Sequence, residues 1–154
     1  MRTMQSLLDE YGESHQNPTN KLVHWFCVPS IVFSVIGLLY SVKLPIEVTE
    51  SIPLNLAMIV LAITLVYYLR LSFTLSIGFF LFACGCLYLA QQIETSHFKL
   101  WQVSIAVFVI AWVIQFWGHK VEGKKPSFLK DVEFLMIGPA WLLHFIYKKL
   151  GIPY

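Results

Sequence analysis

Charge is what this sequence has least of. Only 13% of its 154 residues are Asp, Glu, Lys or Arg, while 57% are hydrophobic and the mean hydropathy is +0.67. Soluble domains carry about 25% charged residues. A soluble fold of this size buries only about two-thirds of the surface its unfolded chain exposes, too little to hide so many apolar side chains. Soluble globular and disordered classes are thereby excluded. An integral membrane protein remains, with residues 1–154 forming a single membrane-embedded domain. A basic patch is also missing: the net charge is +2, and the lysines lie near the ends of apolar runs, which argues against nucleic acid as a partner. Cys27, Cys84 and Cys86 sit inside apolar stretches without the C-x-x-C spacing of zinc or redox sites, so they read as buried thiols. No Ser-His-Asp triad, phosphate loop or H-E-x-x-H helix is present. The polar segment Met1 to Asn20 has no signal-peptide core, so no cleavable signal is expected and the first apolar run serves as the membrane address.

What is there is a series of apolar runs. Leu22 to Val42, Ile52 to Leu69, Leu71 to Ile93 and Leu100 to Gly118 are each close to the ~20 residues that cross a bilayer core. Short breaks separate them: Lys43 through Pro53, the lone Arg70, and Glu94 to Lys99. A fifth run, Phe134 to Tyr147, has 14 residues and contains Gly138-Pro139, which suits a re-entrant or interfacial helix over about 132–148. The predicted fold is thus all-α, with four transmembrane helices. Ahead of them lies an amphipathic helix from about Met4 to His15, with Met4, Leu7, Leu8 and Tyr11 on one face. Asn17-Pro18 reads as an N-cap followed by proline at the first helical position, and Pro29 should bend the helix that follows. The five tryptophans read mostly as interfacial belt residues, and Cys84-Gly85-Cys86 as a close-packing stretch. With four spans, nine Lys and Arg residues fall on the side of both termini and only Lys43 and Lys99 on the other, which places both termini in the cytoplasm.

The histidines are the informative residues. Of five, His15, His24, His119 and His144 fall at or near the cytoplasmic face in this topology, and His97 lies opposite. Asn20 and His24 are i,i+4 neighbours, as are Gln115 and His119, and Glu122 shares the His119 face if the helix continues past Gly118. Polar groups at membrane depth are costly and usually face the bundle interior or a cavity. Taken singly, each histidine reads more readily as an interfacial hydrogen-bonding residue than as a ligand. Four imidazoles gathered from remote parts of the chain point to a metal, with Zn, Fe, Cu and Ni all compatible with such ligands. Lys124 and Lys125, beyond the fourth helix, serve positive-inside charge and would also attract an anionic head group.

Tyr11-x-x-x-His15-x-Asn17-x-x-Asn20-x-x-x-His24, then Pro29, resembles the opening signature of the small membrane proteins typified by the yeast 2-hydroxy fatty acid dioxygenase of the phytosphingosine pathway. Gln115-Phe116-Trp117-Gly118-His119, then Glu122 and Lys124-Lys125-Pro126, resembles the second signature, and Gly138-Pro139 the closing one. The resemblance implies an Fe(II)-dependent dioxygenase that shortens 2-hydroxy fatty acids by one carbon, with O2 as co-substrate. It implies His15, His24, His119 and His144 as iron ligands, and Tyr11, Asn17, Asn20, Gln115 and Glu122 as groups around the reaction. Glu122 would either reach the metal or orient a ligand. Lys124 and Lys125 would meet the substrate carboxylate. The expected setting is the inner membrane of a bacterium or the endoplasmic reticulum of a eukaryote, with the site cytoplasmic and membrane lipids around it. Two other classes fit parts of the pattern. A b-type haem carrier would use His24 and His119 as an axial pair, and a non-catalytic scaffold or small transporter would hold no metal.

Overall fold

Asn17 and Pro18 start the first long helix as their chemistry dictates. The Asn17 side chain accepts from the Thr19 N–H at 2.9 Å, and Pro18, which has no N–H to leave unsatisfied, takes the first helical position. The computed structural model describes residues 3–13, 15–49, 52–123 and 128–154, with side chains in the last stretch from 136 onward. The elements in order are α1 (Met4–Glu13), α2 (Pro18–Tyr40), β1 (Lys43–Thr49), β2 (Ile52–Asn55), α3 (Leu56–Leu71), α4 (Phe73–Glu94), α5 (Leu100–Glu122) and α6 (Phe128–Leu150). Asn55 and Ser72 cap α3 and α4 by accepting from the N–H groups of Met58 and Leu75. Gly123, at φ 76°, adopts the left-handed conformation that ends α5.

Among the described residues, three helices are long and apolar enough to cross a membrane: α2, α4 and α5. The expected span at 52–69 gives its first residues to β2, leaving α3 with 16. That is about 24 Å of helix against a ~30 Å hydrocarbon core. The all-α expectation also missed the antiparallel β1–β2 ribbon, in which Lys43 pairs with Asn55. Pro45 and Pro53 read as breaks, yet each strand of a two-stranded ribbon has a free edge where a missing N–H costs nothing. The C-terminal helix is 23 residues, longer than expected, with Pro139 inside it. Its polar ends, bearing Lys130, Asp131, Lys148 and Lys149, continue the helix beyond the apolar run.

The amphipathic reading of α1 matches the structure, which buries Met4, Leu7, Leu8 and Tyr11. These residues join one core that runs through α2, α3, α4 and α6, including Leu61, Phe79 and Trp141. A smaller cluster of Cys27, Ile31 and Ala111 fills the seam between α2 and α5. The two helices run antiparallel. Gly37 of α2 lies against Ser104 of α5, and Gly118 of α5 lies against Asn20 and Val23 of α2. A Cβ at Gly37 would meet the Ser104 hydroxyl at 2.2 Å, so the close approach requires glycine there. Gly85, by contrast, meets nothing within 4 Å and Cys84 is exposed, so the Cys84-Gly85-Cys86 stretch is not a packing seam. α6 is fastened by two tyrosines: Tyr68 Oη donates to the Met136 carbonyl at 2.5 Å, and Tyr147 Oη to the Thr74 carbonyl at 3.0 Å. The outer faces of α3, α4 and α5 expose Ile63, Phe80 and Val113, which suits contact with lipid.

The seam makes a prediction. Gly37→Leu overpacks the α2–α5 contact and should destabilise the protein by about 1–3 kcal/mol. Gly85→Ala fills open space and removes a helix penalty of about 1 kcal/mol. Thermal unfolding in detergent should show a lower midpoint for the first and an unchanged or higher one for the second.

Candidate metal centre

Three helical elements converge at one end of the α2–α5 seam. The antiparallel register puts His24, in the second turn of α2, beside His119, in the last turn of α5. The short link between α1 and α2 then lays His15 across both. The ring centroids are 4.2 Å apart for His15 and His24, 4.9 Å for His24 and His119, and 5.3 Å for His15 and His119. One donor nitrogen from each ring lies within 4.8 Å of the others. All three side chains are buried.

The hydrogen bonds decide which nitrogens carry protons. His15 Nδ1 lies 2.6 Å from the Tyr11 carbonyl, and His24 Nδ1 lies 2.8 Å from the Asn20 carbonyl. A carbonyl oxygen only accepts, so both Nδ1 atoms must be N–H donors. In the neutral rings both Nε2 atoms are therefore bare lone pairs, and they face each other at 2.9 Å. Two lone pairs at that distance need a positive charge between them, either an added proton or a metal ion. Burial disfavours the proton: it pushes His15 down from 6.5 to about 4, the Tyr11 carbonyl raising it only in part. Metal ligation requires the neutral form. The separation suits an ion about 2.1 Å from each nitrogen, and His119 closes the third side. The donor set fits a divalent transition metal with open positions for ligands. It leaves no room for a macrocycle between His24 and His119.

Glu122 lies one turn from His119 but is not in this group. Its Oε1 accepts the Gln16 N–H at 2.9 Å, and its Oε2 accepts the Asn17 N–H at 2.9 Å and the Asn20 side-chain amide at 3.2 Å. A carboxylate at a helix N-terminus satisfies backbone donors and meets the positive end of the helix dipole. Here it ties the segment carrying His15 to the end of α5, so Glu122 holds His15 in place. Asn17 caps α2, and Asn20 supplies the carbonyl that fixes the His24 ring. Gln115 is buried one turn before His119, with its Oε1 lacking a hydrogen-bond partner.

The Tyr11 ring stacks on His15, with centroids 4.3 Å apart and planes within 2°. Trp141 of α6 packs against both, 5.1 Å from Tyr11 and 5.3 Å from His15. Read from sequence as a belt residue, Trp141 is buried behind the site. Its position three residues after Gly138 on a helical face was the only available signal. His144 stands apart: it is half-buried, its Nδ1 hydrogen-bonded to Tyr154 Oη, and it does not join the three-histidine group. His97 is exposed. Lys124 and Lys125 lie outside the described residues.

Two predictions follow from the geometry. Removing the tie with Glu122→Ala should weaken Co(II) or Zn(II) binding about 10–100-fold, the usual cost of losing a group that orients a ligand. Titration of the purified protein checks this, and Glu122→Gln should retain part of the affinity. The second concerns pH. Because His15 titrates near 4 when folded and near 6.5 when unfolded, the unfolded chain takes up more protons between those values. Stability of the metal-free protein should fall as pH drops from 6.5 to 4 and be flat above. His15→Asn should make that slope shallower in thermal melts.

Residues 1–150 match the family model described as 2-hydroxy-palmitic acid dioxygenase Mpo1-like. The chain is 29% identical over 150 residues to the 2-hydroxy-palmitic acid dioxygenase MPO1 of Saccharomyces cerevisiae, covering 96% of this chain and 82% of the yeast protein. No solved structure matches. With the match extending over nearly its whole length, the chain belongs to the Mpo1-like family.

Proposed function

We propose that this protein is an Fe(II)-dependent dioxygenase that converts a 2-hydroxy fatty acid and O2 into a fatty acid one carbon shorter, CO2 and water. The observation that carries the reading is the pair of bare imidazole nitrogens facing each other beside a third buried histidine. The yeast relative's name supplies the reaction class. The reaction balances without a co-substrate, since the hydroxy acid provides the four electrons that reduce O2. No nucleotide or 2-oxo acid is needed.

His15, His24 and His119 would hold the iron. When bound, it supplies a Lewis-acid and redox centre for the hydroxy acid and O2. The protein's own part is positioning. The Tyr11 and Asn20 carbonyls fix the tautomers of His15 and His24, which keeps both Nε2 atoms available. Glu122 holds the His15 segment on α5. Gln115 offers an unpartnered acceptor one turn from His119, suited to a substrate hydroxyl. Tyr11 and Trp141 wall the site off from water on the α6 side. Lys124 and Lys125, two and three residues after Glu122, supply positive charge for the carboxylate. If α3 crosses as a fourth span, the Lys and Arg distribution would put both termini and the site on the cytoplasmic face, in the inner membrane of a bacterium or the endoplasmic reticulum of a eukaryote.

The test is direct. Protein purified in detergent, loaded anaerobically with Fe(II) and given 2-hydroxypalmitate and air, should yield pentadecanoate. His15→Ala, His24→Ala and His119→Ala should each lose both iron and turnover, whereas His144→Ala should keep stoichiometric iron. Iron-loaded wild-type protein that forms no pentadecanoate would refute the activity on this substrate. An active iron-free variant would refute the ligand assignment.

A further inference from the structure

The α2 ridge that carries His24 does not end at the metal centre. Val28, Val32 and Ile36 follow it at successive four-residue steps and are all buried. Val28 lines an apolar cavity of about 130 Å³ together with Trp25 and Pro29 of α2, Phe82 of α4, and Pro139 and Leu142 of α6. Val32 and Ile36 line a second, of about 80 Å³, which reaches Leu39 of α2 and Val60, Leu61 and Thr64 of α3. The two share Pro139. Along α2 the lining runs from Trp25 to Leu39, about 21 Å at 1.5 Å per residue, which is the scale of a long acyl chain.

The near end lies next to the site, since Val28 is one turn from His24 on the same face of α2. A Cβ at Gly138 would meet Val28 Cγ1 at 2.9 Å and lie 3.6 Å from Tyr11 Oη, so the α6 backbone passes between the tyrosine stacked on His15 and the first valine of the cavity. Only glycine lets the α6 backbone come that close to both. On the opposite side, Pro29 and Phe82 also line a wide groove of about 500 Å³ that reaches Gly85 and Leu89 on the outer surface. The rings of Pro29 and Phe82 thus separate the inner cavity from a groove on the lipid-facing side. A polar metal-binding end, an apolar interior about as long as a lipid tail and a thin wall towards lipid together define the occupant.

We propose that the space between α2 and α6 holds the acyl chain of the substrate, with its carboxyl end at the three histidines and its methyl end against Val60, Leu61 and Thr64, which set the accepted chain length. This rests on the dioxygenase reading for the identity of the head group. The site itself can be tested without turnover.

The probe is a 2-hydroxypalmitate analogue carrying a diazirine at its methyl end, irradiated with wild-type Zn(II)-loaded protein in nanodiscs and mapped by peptide mass spectrometry. Labels on Leu39, Leu61 and Thr64 are expected. Labels confined to outward residues such as Phe80, Ile110 and Val113 would overturn the proposal, because the chain would then lie in bulk lipid. In a second arm, Thr64→Phe shortens the far end. Chain-length preference should move towards shorter acids, by about fourfold in kcat/KM for each methylene that no longer fits. A normally active Thr64→Phe protein with unchanged preference would overturn the ruler. Labels in the cavities without any pentadecanoate would sink the reaction and uphold the site. Pentadecanoate formed with labels only on the outer faces would sink the site and uphold the reaction.

Discussion

Two imidazole nitrogens without protons face each other 2.9 Å apart in a buried pocket, and most of the surrounding architecture can be understood as what holds them there. Neither ring is free to turn. Each donates its other nitrogen to a backbone carbonyl, one at the end of α1 and one within α2. Left to themselves, two lone pairs repel, and burial makes protonation of His15 an expensive remedy. An ion would resolve both problems. The centre is therefore organised electrostatically before anything binds, which is how ligand sets avoid reorganising when the metal arrives.

That constraint reaches into the fold through the α2–α5 seam. His24 and His119 meet because the two helices are antiparallel and close, and they are close because Gly118 stands opposite Asn20 and Val23 and Gly37 opposite Ser104. Glu122 extends the seam by one turn, linking α5 to the segment in front of α2. α6 covers the open side with Trp141, and the tyrosines of α3 and α6 fasten it there. The same close packing that brings the ligands together leaves slender apolar spaces on the far side of α2.

Much of this was legible in the residues. The i, i+3, i+4, i+7 spacing of Met4, Leu7, Leu8 and Tyr11 marked the buried face of α1, and Asn17-Pro18 marked the start of α2. The grouping of His15, His24 and His119 followed from their placement at one end of the predicted spans. Other features depended on contacts that sequence separation conceals. The β1–β2 ribbon forms despite Pro45 and Pro53, with a register shift on either side of the Glu47–Pro53 pair. Glu122 shares a helical face with His119, yet its carboxylate turns to amides more than 100 residues away in the chain. His144 has the right residue type on a helix that does reach the site, but its ring is held by Tyr154 instead. Trp141 looked like an interfacial residue because helical periodicity cannot say which partner covers an aromatic ring.

The location of His15 between helices, where His24 and His119 are each within one, has a thermodynamic consequence. The segment bearing it is continuous with α1, whose apolar face packs against α6 and its neighbours. Whatever free energy an ion gains by gripping His15 is also free energy favouring the docked amphipathic helix, and the reverse holds by linkage. Occupancy of the centre and attachment of the N-terminal arm are thus two readings of one equilibrium, so the arm's susceptibility to detachment reports how well the pocket is filled.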